Sequence, residues 1–237
     1  MISIIPAAGK GTRMSSVTGG GAKEMLPVAG KPLIAHAFDE ARLARVDEIV
    51  LVSSPLKKDL NDYFLSLEYP KRLVIQPEPT GLGPAVILAG LNEDAVVLLP
   101  DALYSPGMPA ARIARMLAEG YDVVLYTEVV TDAQVKRFGI LESATPTSYP
   151  HILEKPSPSD TASRLAIGGR YGFSSDALKR MAISMFEDPT PDMSLTPAIN
   201  YALEQDLHFV HLEADDDERR FDCGSVSGYK KALKELG

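Results

Sequence analysis

The sequence predicts an α/β fold: a mixed, mostly parallel sheet with helices on both faces. Continuous apolar runs alternate with amphipathic helical segments, which is typical of strands that are buried on both sides. The chain has 237 residues, enough for one well-buried domain. Hydrophobic residues make up 45% of it and charged residues 24%, as in ordinary globular proteins.

The first half of the chain, through about residue 130, follows a regular β-α-β-α order. This order favours a doubly wound, Rossmann-like half of the kind that binds nucleotides. The helix at 32–45 places its apolar residues on one broad face, and each predicted strand is a short apolar run. In order, the elements are strand 2–5, helix 32–45, strand 48–53, helix 56–67, strand 72–76, helix 83–91, strand 95–99, helix 110–119 and strand 122–127.

The second half, about residues 131–237, is less regular. Ser174 precedes a helical segment as an N-cap would. No internal repeat or low-complexity linker interrupts it, so we interpret residues 1–237 as a single domain. The predicted strands are 139–141, 151–153, 166–173, 208–213 and 219–221, and the predicted helices are 174–186, 195–204 and 227–236.

Charge and cysteine content exclude several classes of function. The net charge of −8 argues against binding of nucleic acid polymers or anionic membranes, both of which need a basic face. Cys223 is the only cysteine, so no intramolecular disulfide can form and a reducing compartment is expected. The apolar run at the start ends at Pro6, too short for a signal peptide, and no run approaches the length of a membrane span. We therefore expect a cytoplasmic protein.

A glycine-rich segment, Pro-Ala-Ala-Gly-Lys-Gly-Thr-Arg-Met, follows the first strand. Its glycines let backbone N–H groups approach phosphate oxygens, while Arg13 and, ten residues later, Lys23 supply the counter-charge. Ile4 and Gly11 exclude a Walker A loop, and Met14 excludes a dinucleotide fingerprint. The segment predicts a different polyphosphate loop, and a plain glycine turn after an edge strand is the less favoured alternative when the loop is taken alone.

Two carboxylates are candidates for holding a metal ion. Asp101 follows the apolar run at 95–99, where the carboxyl end of a central strand points into the ligand crevice of an open α/β sheet. Asp222 precedes Gly224, which permits a tight turn. Mg²⁺ prefers one or two carboxylates together with phosphate oxygens and water. The spacing alone does not show that the two aspartates meet, and for Asp101 a helix N-cap or turn aspartate is the alternative.

Three further segments carry polar groups suited to a nucleotide or a sugar. Glu154 and Lys155 stand together at a predicted strand end, where a carboxylate can accept hydrogen bonds from sugar hydroxyls and an ammonium can hold a phosphate. Gln76 lies in a rigid turn before a helix, and its amide can pair with the edge of a base. Gly81 lies in the same turn and can close its backbone around the base.

Taken together, these segments resemble the sugar-phosphate nucleotidyltransferases, most closely the bacterial-type UTP–glucose-1-phosphate uridylyltransferases. Each segment alone is weak, but ten in one order through nearly the whole chain are specific. They are residues 8–14 (AGKGTRM), 23–28 (KEMLPV), 31–34 (KPLI), 81–86 (GLGPAV), 98–101 (LLPD), 138–140 (FGI), 154–156 (EKP), 169–171 (GRY), 195–199 (LTPAI) and 222–224 (DCG) with the Gly-Tyr at 228–229.

The resemblance implies the nucleotide-diphospho-sugar transferase fold, with a nucleotide-binding first half and a smaller sugar-binding lobe in the second. It also implies Mg²⁺-dependent transfer of a nucleotidyl group from a nucleoside triphosphate, UTP or dTTP, to a sugar 1-phosphate such as glucose 1-phosphate, with homo-oligomerisation left open. By similarity, the catalytic residues would be Arg13, Lys23, Asp101 and Lys155; the nucleotide-binding residues Ala8, Gly9, Gly11, Thr12, Gln76 and Gly81; the sugar-binding residues Gly139, Glu154, Lys155 and Ile167; and the metal ligands Asp101 and Asp222.

Departures from the family pattern affect the sugar assignment more than the reaction class. Ser16 and Ala22 replace frequent prolines around a triple glycine at 19–21, Phe138 replaces a usual tyrosine, and Pro84 replaces a common histidine. Two alternatives stay open: a cytidylyltransferase acting on a polyol phosphate on the same fold, and a non-catalytic nucleotide-sugar-binding relative. Retention of the candidate catalytic residues argues against the second.

Overall fold

A nine-stranded mixed sheet forms the centre of the molecule. The structure is a computed structural model and describes residues 1–143, 149–187 and 194–237. In these residues the strands are β1 (Ile2–Pro6), β2 (Pro27–Val28), β3 (Lys31–Pro32), β4 (Glu48–Ser53), β5 (Lys71–Ile75), β6 (Ala95–Leu98), β7 (Ala102–Ser105), β8 (Val123–Val129), β9 (Gly139–Glu142), β10 (His151–Glu154), β11 (Leu165–Phe173), β12 (Phe209–Glu213) and β13 (Arg219–Asp222).

Helices cover both faces of this sheet, as the alternating pattern predicts. Short 3₁₀ turns at Thr12–Met14 and Lys23–Met25 flank the first of them. No helix in the described ranges combines the length and apolarity needed to cross a bilayer. The helices are α1 (Ser15–Thr18), α2 (Leu33–Leu43), α3 (Lys58–Ser66), α4 (Leu82–Gly90), α5 (Pro109–Ala118), α6 (Asp132–Val135), α7 (Ser175–Glu187), α8 (Leu195–Leu203) and α9 (Val226–Leu236).

The strand order of the main sheet is β10-β9-β11-β6-β1-β4-β5, and β8 pairs with both β11 and β12. The pairs β6-β1, β1-β4, β4-β5 and β8-β12 are parallel. Only β10 and β11 run against the other strands of this sheet. The predicted fold class, a mixed and mostly parallel sheet with helices on both faces, is therefore confirmed.

Continuous apolar strands are needed because both faces of the sheet are buried. Ile2 and Ile4 of β1 pack into one core cluster, while Ile5 packs into the cluster on the opposite face. All three side chains are fully buried. The alternation of side chains along a strand thus supplies both cores from one apolar run.

A separate two-stranded ribbon lies outside the main sheet. In it β7 pairs antiparallel with β13, and Asp222 stands opposite Ala102. The sequence predicts β13 but not β7, because β7 begins immediately after the Pro100–Asp101 turn and has only four residues. This pairing brings Asp222 beside Asp101 across more than a hundred residues of chain.

Candidate active site

Two adjoining cavities open near the carboxyl ends of β1 and β6, at the position where open α/β sheets bind ligands. Their volumes are about 320 Å³ and about 340 Å³, and they meet at Arg13 and Asp101, which line both. Among the predicted site residues, the first cavity is lined by Ala8, Gly9, Arg13, Lys23, Gln76, Gly81 and Asp101, and the second by Arg13, Asp101, Gly139, Glu154, Lys155, Ile167 and Asp222.

Met14 anchors the glycine-rich loop to the interior of the protein. That side chain is fully buried and packs in a cluster with Phe221 and Cys223, so the residue that excludes a dinucleotide fingerprint is the anchor of this loop. Gly11 has φ +64°, a left-handed conformation that favours glycine. It and exposed Thr12 lie beside the cavities but are not among the described residues that line them.

An ion pair joins the loop side of the first cavity to the central sheet. Lys23 Nζ lies 2.5 Å from Asp101 Oδ2. Burial by itself opposes both charges, but the partner outweighs it: the pKa of the Lys23 ammonium is raised by Asp101, and the pKa of the Asp101 carboxyl is lowered by Lys23 and, more weakly, by Arg13. Both groups are therefore charged at neutral pH.

A second ion pair fixes the segment that carries Lys23. Lys57 Nζ donates to Glu24 Oε2 at 2.8 Å and to the Ala7 carbonyl oxygen at 2.6 Å. The Glu24 side chain is 1% exposed and that of Lys57 10%. The pair ties the end of β1 to the 3₁₀ turn, so the two sides of the first cavity keep a fixed separation.

The carboxylates of Asp101 and Asp222 both lie close to the space beside the α-carbon of Gly224 that a Cβ would occupy. A Cβ placed on Gly224 would lie 2.5 Å from Asp101 Oδ2 and 3.3 Å from Asp222 Oδ1, and the Cys223 N–H donates to the Asp101 carbonyl oxygen at 2.7 Å. Only glycine leaves the space between the carboxylates open. Both carboxylates line the second cavity. Two convergent carboxylates suit a hard divalent cation, and this donor set fits Mg²⁺.

A buried ion pair that the sequence did not predict supports the turn that carries Asp101. Arg170 and Glu40 are 2% and 8% exposed, and Arg170 Nη2 lies 2.8 Å from Glu40 Oε2. The same guanidinium donates to the carbonyl oxygens of Leu99 and Ala102 at 2.9 and 2.6 Å. Arg170 thereby fixes both sides of the turn that carries Asp101. The sequence contains the Gly-Arg-Tyr motif, but nothing in it connects the arginine to Glu40.

In the second cavity, Gly139, Glu154 and Ile167 share one corner. A Cβ on Gly139 would stand 3.5 Å from Glu154 Oε2 and 3.7 Å from Ile167 Cγ1. Glu154 accepts a hydrogen bond from Thr196 Oγ1 at 2.8 Å and pairs with Lys155 Nζ at 2.9 Å. Lys155 has φ +49°, an uncommon conformation for a non-glycine residue, and such residues cluster at functional sites.

Two arginines that sequence reasoning missed also line this cavity. Arg220 Cζ lies 4.1 Å from the centre of the Phe138 ring, and Arg137 Cζ lies 5.4 Å from it. Arg220 forms an ion pair with Glu128. Arg137 Nη2 donates to Asp222 Oδ2 at 2.6 Å. The double arginine before Phe221 and the Arg-Phe-Gly run were the available signals, but neither shows which of its side chains face a ligand.

Comparisons with known proteins identify relatives that match nearly the whole chain. A profile described as Nucleotidyl transferase matches residues 2–237. A Haemophilus influenzae protein named UTP–glucose-1-phosphate uridylyltransferase is 31% identical, over 100% of this chain and 93% of its own length. A Bacillus subtilis protein of the same name is 28% identical, over 99% of this chain and 89% of its own length.

Solved structures give the same result. A UDP-glucose pyrophosphorylase complexed with UDP-glucose superposes with a TM-score of 0.85 and 26% identity, over 98% of this chain and 97% of its own. A UTP-bound enzyme of the same kind from Acinetobacter baumannii has a TM-score of 0.85 and 26% identity, over 100% and 93%. The resemblance stated from the motifs is thus confirmed, and the chain belongs to the nucleotidyl transferase family.

Proposed function

We propose that this chain transfers a nucleotidyl group from UTP or dTTP to a sugar 1-phosphate, with glucose 1-phosphate as the favoured acceptor, and releases pyrophosphate. The observation that carries the proposal is the meeting of two cavities at Arg13 and Asp101. If the triphosphate occupies one cavity and the acceptor the other, their phosphates come together at that junction. The names of the full-length relatives favour the uridine nucleotide and the glucose acceptor.

The reaction we infer is an in-line displacement at phosphorus. An oxygen of the acceptor phosphate attacks the α-phosphorus, the bond from that phosphorus to the bridging oxygen breaks, and pyrophosphate leaves with the electron pair. The protein forms no covalent bond to the substrate. Its contribution is to position two anions and to offset their repulsion.

Cationic side chains on both sides of the junction suit that task. Arg13 and Lys23 would neutralise the triphosphate, and Lys155 would neutralise the phosphate of the sugar. Asp101 and Asp222 would hold Mg²⁺, which when bound offsets negative charge on the α-phosphate. Because Lys23 and Asp101 already hold one another charged, neither needs to gain or lose a proton when the substrates bind.

Recognition of the two substrates would fall to uncharged groups and to Glu154. Ala8, Gly9, Gly11 and Thr12 would offer backbone groups to the nucleotide, and Gln76 with Gly81 would read the base. Glu154, Gly139 and Ile167 would contact the sugar. We also infer a cytoplasmic location, since the single buried cysteine requires no oxidising compartment.

The test is pyrophosphate release with Mg²⁺ across UTP, dTTP, CTP and GTP, each combined with several sugar 1-phosphates and one polyol phosphate. The expected result is the fastest release with UTP or dTTP and glucose 1-phosphate. A preference for CTP and the polyol phosphate would support the cytidylyltransferase alternative. Nucleotide-sugar binding without turnover of any pair would support the non-catalytic one.

A further inference from the structure

Each of the two converging carboxylates pairs with a cation, and the two cations line different cavities. Lys23 pairs with Asp101, and of the two cavities it lines the first. Arg137 Nη2 donates to Asp222 Oδ2 at 2.6 Å, and of the two cavities it lines the second. We propose that Arg137 binds the phosphate of the acceptor sugar, as a second cation beside Lys155. This inference rests on the proposed function.

The backbone places Arg137 next to Lys155. The N–H of Arg137 donates to the Gln134 carbonyl oxygen at 2.9 Å, which closes the turn between α6 and β9. One residue further on, the Phe138 carbonyl oxygen accepts a hydrogen bond from the Lys155 N–H at 3.1 Å and extends the antiparallel pairing of β9 with β10. The two cations therefore stand at the same end of this strand pair, and both line the second cavity.

Most of the donors of Arg137 are available to a ligand. A guanidinium has five N–H donors. Among the described residues, the one side-chain hydrogen bond of Arg137 is that to Asp222, and its side chain is 44% exposed. Arg170, at 2% exposure, instead directs all five donors to Glu40 and to three backbone carbonyl oxygens. Arg137 thus keeps a planar donor edge that can bind two oxygens of one phosphate.

Arg220, the other arginine that the sequence did not assign to this cavity, is less able to bind a phosphate. Its side chain is 8% exposed and forms an ion pair with Glu128. Its Cζ lies 4.1 Å from the centre of the Phe138 ring, against 5.4 Å for Arg137. To reach a ligand, Arg220 would have to leave both a carboxylate and a ring face. Arg137 can bind a ligand through its open edge while it stays on Asp222.

The charge of the acceptor calls for more than one cation. A phosphate monoester carries about −1.5 to −2 charges at pH 7. Lys155 is 61% exposed and shares its ammonium with Glu154 at 2.9 Å, so it offsets only part of that charge. A bidentate arginine adds a second positive charge and also fixes the rotation of the phosphate, which helps to present one oxygen for attack on the triphosphate.

The test compares two ligands that differ in the acceptor phosphate. UDP-glucose contains this phosphate as its sugar-linked β-phosphate, whereas UTP lacks it. Arg137→Gln removes the charge, Arg137→Lys keeps the charge without the planar fork, and Lys136→Gln is the matched control. Lys136 is the exposed neighbour of Arg137 in the sequence and is not among the described residues that line either cavity. The measurements are binding of both ligands by calorimetry, with Mg²⁺ at a concentration that saturates every variant, and KM for glucose 1-phosphate.

Arg137→Gln should weaken binding of UDP-glucose about tenfold, the low end of the range for a hydrogen bond to a charged group, because the side chain is partly exposed. Binding of UTP should change less than about twofold, which also shows that the variant is folded. KM for glucose 1-phosphate should rise by a factor similar to the loss of UDP-glucose affinity. Arg137→Lys should lie between wild type and Arg137→Gln, and Lys136→Gln should match the wild type.

The binding measurements separate failure of this inference from failure of the proposed function. If Arg137→Gln weakens UDP-glucose selectively but the wild type releases no pyrophosphate, the function is overturned and the inference stands. If the wild type turns over and Arg137→Gln binds UDP-glucose normally, the inference is overturned and the function stands. Equal losses for UDP-glucose and UTP, or an equal loss in Lys136→Gln, also overturn the inference.

Discussion

Replacement of Arg170 by methionine is expected to destabilise the protein more than any loss of a surface charge. The guanidinium of Arg170 forms two contacts with Glu40 Oε2, at 2.8 and 3.1 Å, and donates to the carbonyl oxygens of Leu99, Gly169 and Ala102. Methionine fills much of the same volume but donates nothing. The substitution therefore leaves one buried carboxylate without its counter-charge and three carbonyl oxygens without this donor.

The expected cost is about 3–5 kcal/mol, the range for breaking a buried ion pair by removing one partner. The total stability of a domain is roughly 5–15 kcal/mol, so the loss would be a large share of it. For a chain of this size, about 2–4 °C of Tm is lost per kcal/mol. The melting temperature should thus fall by roughly 6–20 °C.

The assay is urea unfolding followed by circular dichroism, with the melting temperature measured in parallel. Arg180→Met is the matched control, because Arg180 pairs with Asp176 one turn away on an exposed face of α7, and such pairs contribute about 0.3–0.5 kcal/mol. Adding Glu40→Gln to Arg170→Met should recover part of the loss by removing the uncompensated charge. If Arg170→Met and Arg180→Met have free energies of unfolding within about 1 kcal/mol of one another, the reasoning is refuted.

Three other predictions concern the site itself. Asp101→Asn should abolish Mg²⁺-dependent turnover because it removes a charged metal ligand; a near-normal rate of pyrophosphate release would contradict the metal assignment. Arg137→Gln should lower the Mg²⁺ concentration needed for half-maximal turnover by up to about fivefold, since Arg137 competes for Asp222; a higher requirement would show that no competition exists. Burial raises the pKa of the Cys223 thiol to about 12, so below pH 9 the folded protein should react with Ellman's reagent far more slowly than the urea-unfolded protein, and equal rates would contradict this.

The regular first half of the fold could be predicted because strands that are buried on both faces consist of continuous apolar runs. The strand predicted at 48–53 matches β4 residue for residue. Helix ends were predicted less accurately. The helix predicted from residue 56 begins at Lys58, and Leu56 is 91% exposed. An apolar residue outside a helix looks the same in the sequence as one on its buried face.

Pairings between distant charged residues could not be predicted. Glu40 and Arg170 lie on an amphipathic helix and a strand 130 positions apart, and charged residues are expected at the surface unless a partner is known. The proximity of Asp101 and Asp222 depends on β7. This strand has only four residues, too few for an alternating pattern to be recognised in the sequence. Motifs in the sequence identified these aspartates as candidates. That their carboxylates come together follows from the β7–β13 ribbon and from the absence of a side chain at Gly224.

The cations of the cleft differ in whether a substrate phosphate must displace a carboxylate to reach them. Four of them already form ion pairs with carboxylates of the protein, in a chain of net charge −8. These pairs are Lys23–Asp101, Lys155–Glu154, Arg137–Asp222 and Arg220–Glu128. Arg13 lines both cavities, and in the described part of the chain it has no carboxylate within ion-pair distance. It is therefore the cation that a phosphate group meets without competition, at the one place where both substrates would have their phosphates.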